Sequence, residues 1–142
     1  MFVGHFVHSI DEKGRLSLPA KFRERLGSSF VTTHGLDGCL FVYPMAEWEA
    51  IAERLKELST SKGNARAFAR LFFASAEVCE CDKQGRVNLP LHQREHAGLA
   101  GETIILGANS RAEIWSKENW ERYKRAAQSE YEALAEELQT PI

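Results

Sequence analysis

The sequence has no basic excess. Its 18 Lys and Arg are outweighed by 20 Asp and Glu, a formal charge of -2 over 142 residues. Indiscriminate binding to nucleic acid or an acidic membrane through bulk charge is therefore excluded, and any basic surface must be local. No apolar run approaches the roughly 18 residues a membrane helix needs. The opening Met1-Phe2-Val3-Gly4-His5 lacks the basic region and apolar core of an export signal, so a cytoplasmic protein with no membrane partner is expected. Cysteine is scarce: Cys39, Cys79 and Cys81 are an odd set, which argues against a disulfide framework and for buried reduced thiols.

Catalytic signatures are missing as well. There is no Gly-x-Ser-x-Gly elbow, no His-Glu-x-x-His, no phosphate-cradling Gly-x-x-x-x-Gly-Lys and no dinucleotide fingerprint. Glu77, Glu80 and Asp82 alternate along one stretch without an evident base or metal partner. Cys79-x-Cys81 with His92-x-x-x-His96 has the wrong spacing for a zinc finger, and no basic recognition helix follows. No catalytic residue, metal or cofactor is expected.

What is present is an internal repeat. Residues 11–27 and 82–98 align at an offset of 71, with eight identities in 17 positions. These are Asp11/Asp82, Gly14/Gly85, Arg15/Arg86, Leu18/Leu89, Pro19/Pro90, Arg23/Arg94, Glu24/Glu95 and Gly27/Gly98. With one residue inserted, Val42-Tyr43 faces Ile114-Trp115 and Trp48 faces Trp120. A unit of about 70 residues is marginal alone, so the two copies are expected to share one core. The copies differ in charge: residues 1–71 carry a formal +2 and residues 72–142 a formal -4, with much of the acid in the last helical stretch.

Each copy reads as strand, turn, strand and proline-led helix. Phe2–Ile10 suits a strand, Asp11–Gly14 a turn whose Asp caps backbone N–H groups and whose Gly takes a positive φ, and Arg15–Leu18 a short strand. Pro19 opens a helix that Gly27 ends. Strands are expected at Phe30–His34 and Leu40–Tyr43, and helices at Ala46–Leu58 and Ala65–Ala74, with a polar break over 59–64. After Ala76 the pattern recurs and closes with one long helix from Lys117 to Leu138, striped by Trp120, Tyr123, Ala127, Tyr131, Leu134 and Leu138. That stripe should dock on the barrel or on another subunit.

Arg15 and Arg86 each follow a tight turn at the start of a strand. A guanidinium there can contact a guanine edge or a phosphate through two N–H groups. It can equally close a local salt bridge to Asp11 or Asp82, four residues back, and the two readings are compatible. Lys13, Lys21, Arg23 and Lys83 lie nearby in sequence and suit phosphates, or simply solvent.

The ordered set Met1-Phe2-x-Gly4, Asp11-x-Lys13-Gly14-Arg15, Pro19-Ala20-Lys21-Phe22-Arg23, Gly35-Leu36-Asp37-x-Cys39-Leu40, Ala65-Arg66-Ala67-Phe68 and Asp82-x-x-Gly85-Arg86 resembles the MraZ family over essentially the whole chain. The resemblance implies an α+β fold: a double-split, swapped-hairpin β-barrel of the AbrB and MazE type, with flanking helices. It would be built from a first AbrB-like repeat at 1–75 and a second at 76–142. It implies a nucleoid-associated transcriptional repressor that assembles as a homo-oligomeric ring. The ring would bind direct repeats of double-stranded DNA in the promoter of its own division and cell-wall gene cluster. The DNA contact it implies falls on Asp11, Arg15, Asp82 and Arg86, and the neighbouring Lys13 and Lys83 complete the candidate site. Leu91-His92-Gln93 in place of Ala20-Lys21-Phe22 makes the second copy less basic. The alternative is a protein-interaction ring without meaningful DNA affinity, its arginines serving turn salt bridges or subunit contacts.

Overall fold

A computed structural model describes residues 1–58 and 62–142. Its elements are β1 (His5–Ile10), β2 (Arg15–Ser17), α1 (Ala20–Leu26), β3 (Phe30–His34), β4 (Leu40–Pro44), α2 (Met45–Leu58) and α3 (Gly63–Ala74). They continue as β5 (Glu77–Cys79), β6 (Arg86–Asn88), α4 (Leu91–Ala97), β7 (Gly101–Ala108), β8 (Arg111–Ser116), α5 (Lys117–Gln128) and α6 (Tyr131–Glu137).

The strands are antiparallel and run β5-β3-β4-β8-β7-β1-β2-β6. Four of the seven pairings join one repeat to the other: β1 with β7, β2 with β6, β3 with β5 and β4 with β8. Neither copy therefore completes a sheet of its own. β5 and β6, at the two ends of the order, are linked through the Asp82 turn, where the Asp82 N–H donates to the Arg86 carbonyl at 2.9 Å. The result is a nearly closed barrel, the swapped-hairpin α+β fold that the family resemblance implies.

The hydrophobic effect explains the exchange. Ile10, Leu16, Leu18, Phe22, Leu26 and Phe30 of the first repeat share one buried cluster with Val87, Leu89, Ala97, Ile105 and Ile114 of the second. A second cluster lies outside the barrel, where Cys39, Phe41, Tyr43, Phe72, Ile104 and Trp115 are buried beneath Trp48 and Trp120. Trp48 stacks on Phe72, and Trp120 meets Trp115 edge-on, with centroids 5.4 and 5.3 Å apart.

Three expectations need correction. The first strand starts at His5, because Gly4 takes φ +101 and leaves Phe2 only an isolated bridge to Asn109. The long C-terminal helix is two helices, broken at Ser129 and Glu130: the Ser129 hydroxyl donates back to the Ala126 carbonyl at 2.9 Å, and Glu130 leaves helical geometry at φ -116, ψ 11. Trp120 and Tyr123 pack on Trp115, whereas Tyr131, Leu134 and Leu138 stay exposed. Gly63 and Asn64 belong to α3 and not to the polar break; residues 59–61 of that break lie outside the described residues.

The copies differ most under α1 and α4. Phe22 is buried with edge-on contacts to Phe2 and Phe6. Its counterpart Gln93 is fully buried and hydrogen-bonded throughout. Its amide donates to the carbonyls of Thr32 at 3.0 Å and Ser75 at 2.9 Å, and its oxygen accepts from the Thr32 hydroxyl at 2.9 Å. Gln93→Leu removes three hydrogen bonds from the interior and takes the side-chain donor from the Thr32 and Ser75 carbonyls. It should destabilise the protein by about 2–3 kcal/mol in urea unfolding. A change within about 0.5 kcal/mol, the range of ordinary surface substitutions, would show that the network contributes little.

Candidate nucleic-acid interface

Each turn is built the same way. The Gly14 N–H donates to the Asp11 carbonyl and the Gly85 N–H to the Asp82 carbonyl, both at 3.0 Å. Asp11 Oδ1 accepts from the N–H groups of Lys13 at 3.0 Å and Arg15 at 2.9 Å. Asp82 Oδ1 accepts from those of Gln84 and Arg86, both at 2.9 Å. The remaining carboxylate oxygen takes the arginine Nε, at 2.6 Å for Asp11–Arg15 and 2.8 Å for Asp82–Arg86. Gly14 and Gly85 have φ +89 and +76, which an L side chain rarely adopts.

These contacts hold both carboxyls below the usual carboxylate range. The backbone N–H of Arg15, or of Arg86, is the largest cause; burial opposes it, and the guanidinium adds to the lowering. Both carboxylates are solvent-exposed, so the ion pairs orient the side chains more than they stabilise the fold. Because each guanidinium is held through Nε, its two terminal nitrogens stay available; among the described residues they make no hydrogen bond. The salt bridge and a projecting guanidinium thus coexist.

The β2–β6 register brings the two arginines together. Leu16 lies opposite Val87, and both are buried. Side chains alternate along a strand, so Arg15, Ser17, Arg86 and Asn88 share the outer face, with Arg15 opposite Asn88 and Ser17 opposite Arg86. Lys13 and Lys83 are exposed on the adjoining turns, and Lys21 is exposed on α1. Ser17 and Asn88 are absent from the residues singled out by sequence. Their signal was available, since they are equivalent at the offset of 71 and each sits two residues after an arginine.

The family model described as "MraZ protein" matches residues 1–71 and again 72–140. The chain belongs to the MraZ family. It is 56% identical over 138 residues to a protein of Pelotomaculum thermopropionicum named "Transcriptional regulator MraZ", covering 97% of this chain and 95% of the relative. A protein of Heliobacterium modesticaldum with the same name is 54% identical over 138 residues, covering 97% and 96%.

Elsewhere in this MraZ-family chain, the cysteines and histidines considered for zinc have separate surroundings. Cys79 Sγ lies 3.4 Å from the Thr32 hydroxyl. Burial pushes the thiols of Cys39, Cys79 and Cys81 up, which keeps them protonated. His96 stacks on His34 at 3.9 Å between centroids, and His92 lies between His34 Nε2 and Glu77 Oε1, each 3.4 Å away. Among the described residues no group of three or more His, Cys, Asp or Glu is arranged to hold a metal, and no helix is long and apolar enough to cross a membrane.

Burial, then the neighbouring His96 and His92, hold the His34 pKa below 6.5. The folded state thus disfavours a proton that the unfolded chain accepts at 6.5, and stability rises with pH across that interval. The melting temperature should fall as pH is lowered from 6.5 through the folded value of His34. His96→Gln, which removes one repelling imidazole, should flatten that dependence in melts at pH 7.5, 6.5 and 5.5. An unchanged slope would place its origin elsewhere.

Proposed function

We propose that this chain is a sequence-specific DNA-binding transcription regulator with no catalytic activity. It binds direct repeats in the promoter of its own division and cell-wall gene cluster, represses that cluster as a homo-oligomeric ring, and is thereby associated with the nucleoid. The single observation that carries the reading is the outward quartet of Arg15, Ser17, Arg86 and Asn88 on a two-stranded antiparallel ribbon. The major groove admits such a ribbon, and arginine and asparagine are the side chains that pair bidentately with guanine and adenine edges. Asp11 and Asp82 set the direction of the arginines; Lys13 and Lys83, on the rims of the turns, neutralise phosphates. The names of the relatives agree with this role.

A single ribbon on a chain of net charge -2 binds weakly. Several ribbons on one ring meet tandem repeats at high effective concentration, which raises the avidity without any new contact. Self-association is supported by Phe68, Leu71 and Phe73, which α3 leaves exposed.

Fluorescence anisotropy on a duplex carrying the tandem repeats upstream of the gene, against a scrambled duplex, tests the proposal. Arg15→Ala and Arg86→Ala should each weaken repeat-selective binding by about 1–3 kcal/mol, roughly 5- to 150-fold. Lys13→Ala and Lys83→Ala should weaken binding to both duplexes and each reduce the logarithmic salt slope by about 0.9. Equal, negligible binding of correctly assembled protein to both duplexes would sink the proposal in favour of a protein-interaction ring.

A further inference from the structure

Arg23 and Arg94 are the repeat-related arginines of α1 and α4, and their basic character alone suggests phosphate contacts. Their surroundings suggest otherwise. Arg23 Nε donates to the carbonyl of Leu18 at 3.2 Å, and Arg94 Nε to that of Leu89 at 3.0 Å. Each guanidinium is thereby folded back along its own repeat and against the glycine of the other repeat's turn. A Cβ built on Gly85 would stand 2.5 Å from Arg23 Nη1 and 2.7 Å from its Cζ. One on Gly14 would meet the Leu89 carbonyl oxygen first and stand 2.8 Å from Arg94 Nε, and Arg94 Nη1 also donates to the Glu12 carbonyl at 3.4 Å. Both glycines are buried. The backbone ties the same segments crosswise, Leu18 N–H to the Gly85 carbonyl at 3.1 Å and Leu89 N–H to the Gly14 carbonyl at 2.8 Å.

We propose that Arg23 and Arg94 are positioning residues that act across the repeats: Arg23 fixes the turn carrying Arg86, and Arg94 the turn carrying Arg15. Glycine is required at both turns for its φ; at Gly85 the Arg23 guanidinium also occupies the space a side chain would need, and at Gly14 the Leu89 carbonyl and Arg94 occupy it together. A turn held on one side by its own aspartate and on the other by the opposite repeat's arginine presents the next residue in one orientation. The direction of Arg86 therefore depends on a side chain 63 positions away in sequence. Lysine cannot substitute, since it keeps the charge but has neither Nε geometry nor a plane to lay on the glycine.

The inference rests on the DNA-binding reading for its consequence and on the free protein for its cause, so the test has two arms. In the first, hydrogen exchange of the unbound full-length protein is compared for wild type, Arg23→Lys and Arg94→Lys. Arg23→Lys should speed exchange of residues 82–88 more than 11–17, and Arg94→Lys the reverse. In the second, affinity for the tandem-repeat duplex is measured in double-mutant cycles. Arg23→Lys should weaken selective binding by about 10-fold with its salt slope unchanged. That loss should vanish in an Arg86→Ala background and persist in an Arg15→Ala background. Additive losses in both backgrounds, or an Arg23→Gln variant whose salt slope drops by about 0.9, would make Arg23 a direct phosphate contact and overturn the proposal. Crosswise exchange without any loss of affinity would overturn it too, as would unchanged exchange. If wild-type protein fails to distinguish the duplexes, the regulator reading falls, while the exchange arm still decides whether the brace exists.

Discussion

The three-residue ladder between β2 and β6 is the constraint on which the remainder depends. It is too short to be stable by itself, since isolated pairs of strands are marginal in water. Its stability comes from what it buries: Leu16 and Val87 face each other inside a core drawn from both repeats. Removing the ladder would expose that core. Register is equally fixed. A slip of one residue would turn Arg15 and Arg86 into the interior and put Leu16 and Val87 into water, a change that the buried cluster forbids. The same apolar pair that joins the repeats therefore sets which way the charged pair faces.

Pseudo-symmetry at the surface coexists with asymmetry beneath it. The turns share the same carboxylate cap and the same Nε contact to within a few tenths of an ångström. Below them, one helix packs on the barrel with a phenylalanine and the other with a glutamine. The reason lies in what each helix covers. α1 faces Phe2 and Phe6. α4 meets the junction where α3 runs into β5, whose backbone carbonyl at Ser75 requires a donor. The Thr33 hydroxyl bonds to the Phe72 carbonyl at 2.7 Å and lies 3.0 Å from the Ser75 hydroxyl, extending the polar seam. Duplication thus left the surface chemistry paired while the interior diverged to accommodate a connection that only one copy has.

How much could be read beforehand follows from how local each cause is. The repeats, the Asp-capped turns and the proline-led helices were legible, because Asp, Gly and Pro act on their immediate backbone. The pairing of the repeats followed from size. The break at Ser129 was not legible: a single serine bonding its own helix leaves no mark on an apolar stripe that continues through Tyr131 and Leu134. The Gly4 break was hidden inside a stretch rich in strand formers. Ser17 and Asn88 are legible as lying on the arginine side of their own strands, but which arginine each one faces is not, because register is a property of the strand pair. Arg23 was legible as a cation and not as a brace, since Gly85 comes beside it only after the hairpins exchange.

Charge distribution follows the same logic. Glu130, Glu132, Glu136 and Glu137 lie on or beside α6, at the far end of the chain order from the barrel strands, whereas the exposed lysines Lys13 and Lys83 lie on the turns flanking β2 and β6. Screening confines each group's influence to about 8–10 Å at moderate salt, so a net negative chain can still present a positive edge wherever sequence-distant cations are gathered. Exchange of strands is the gathering step here. It sets Arg15 and Arg86 on adjacent strands although 71 positions separate them in the chain. A single unexchanged copy would hold one arginine and a sheet with open edges; the duplicated, interleaved chain holds two arginines at a spacing set by the strand pair.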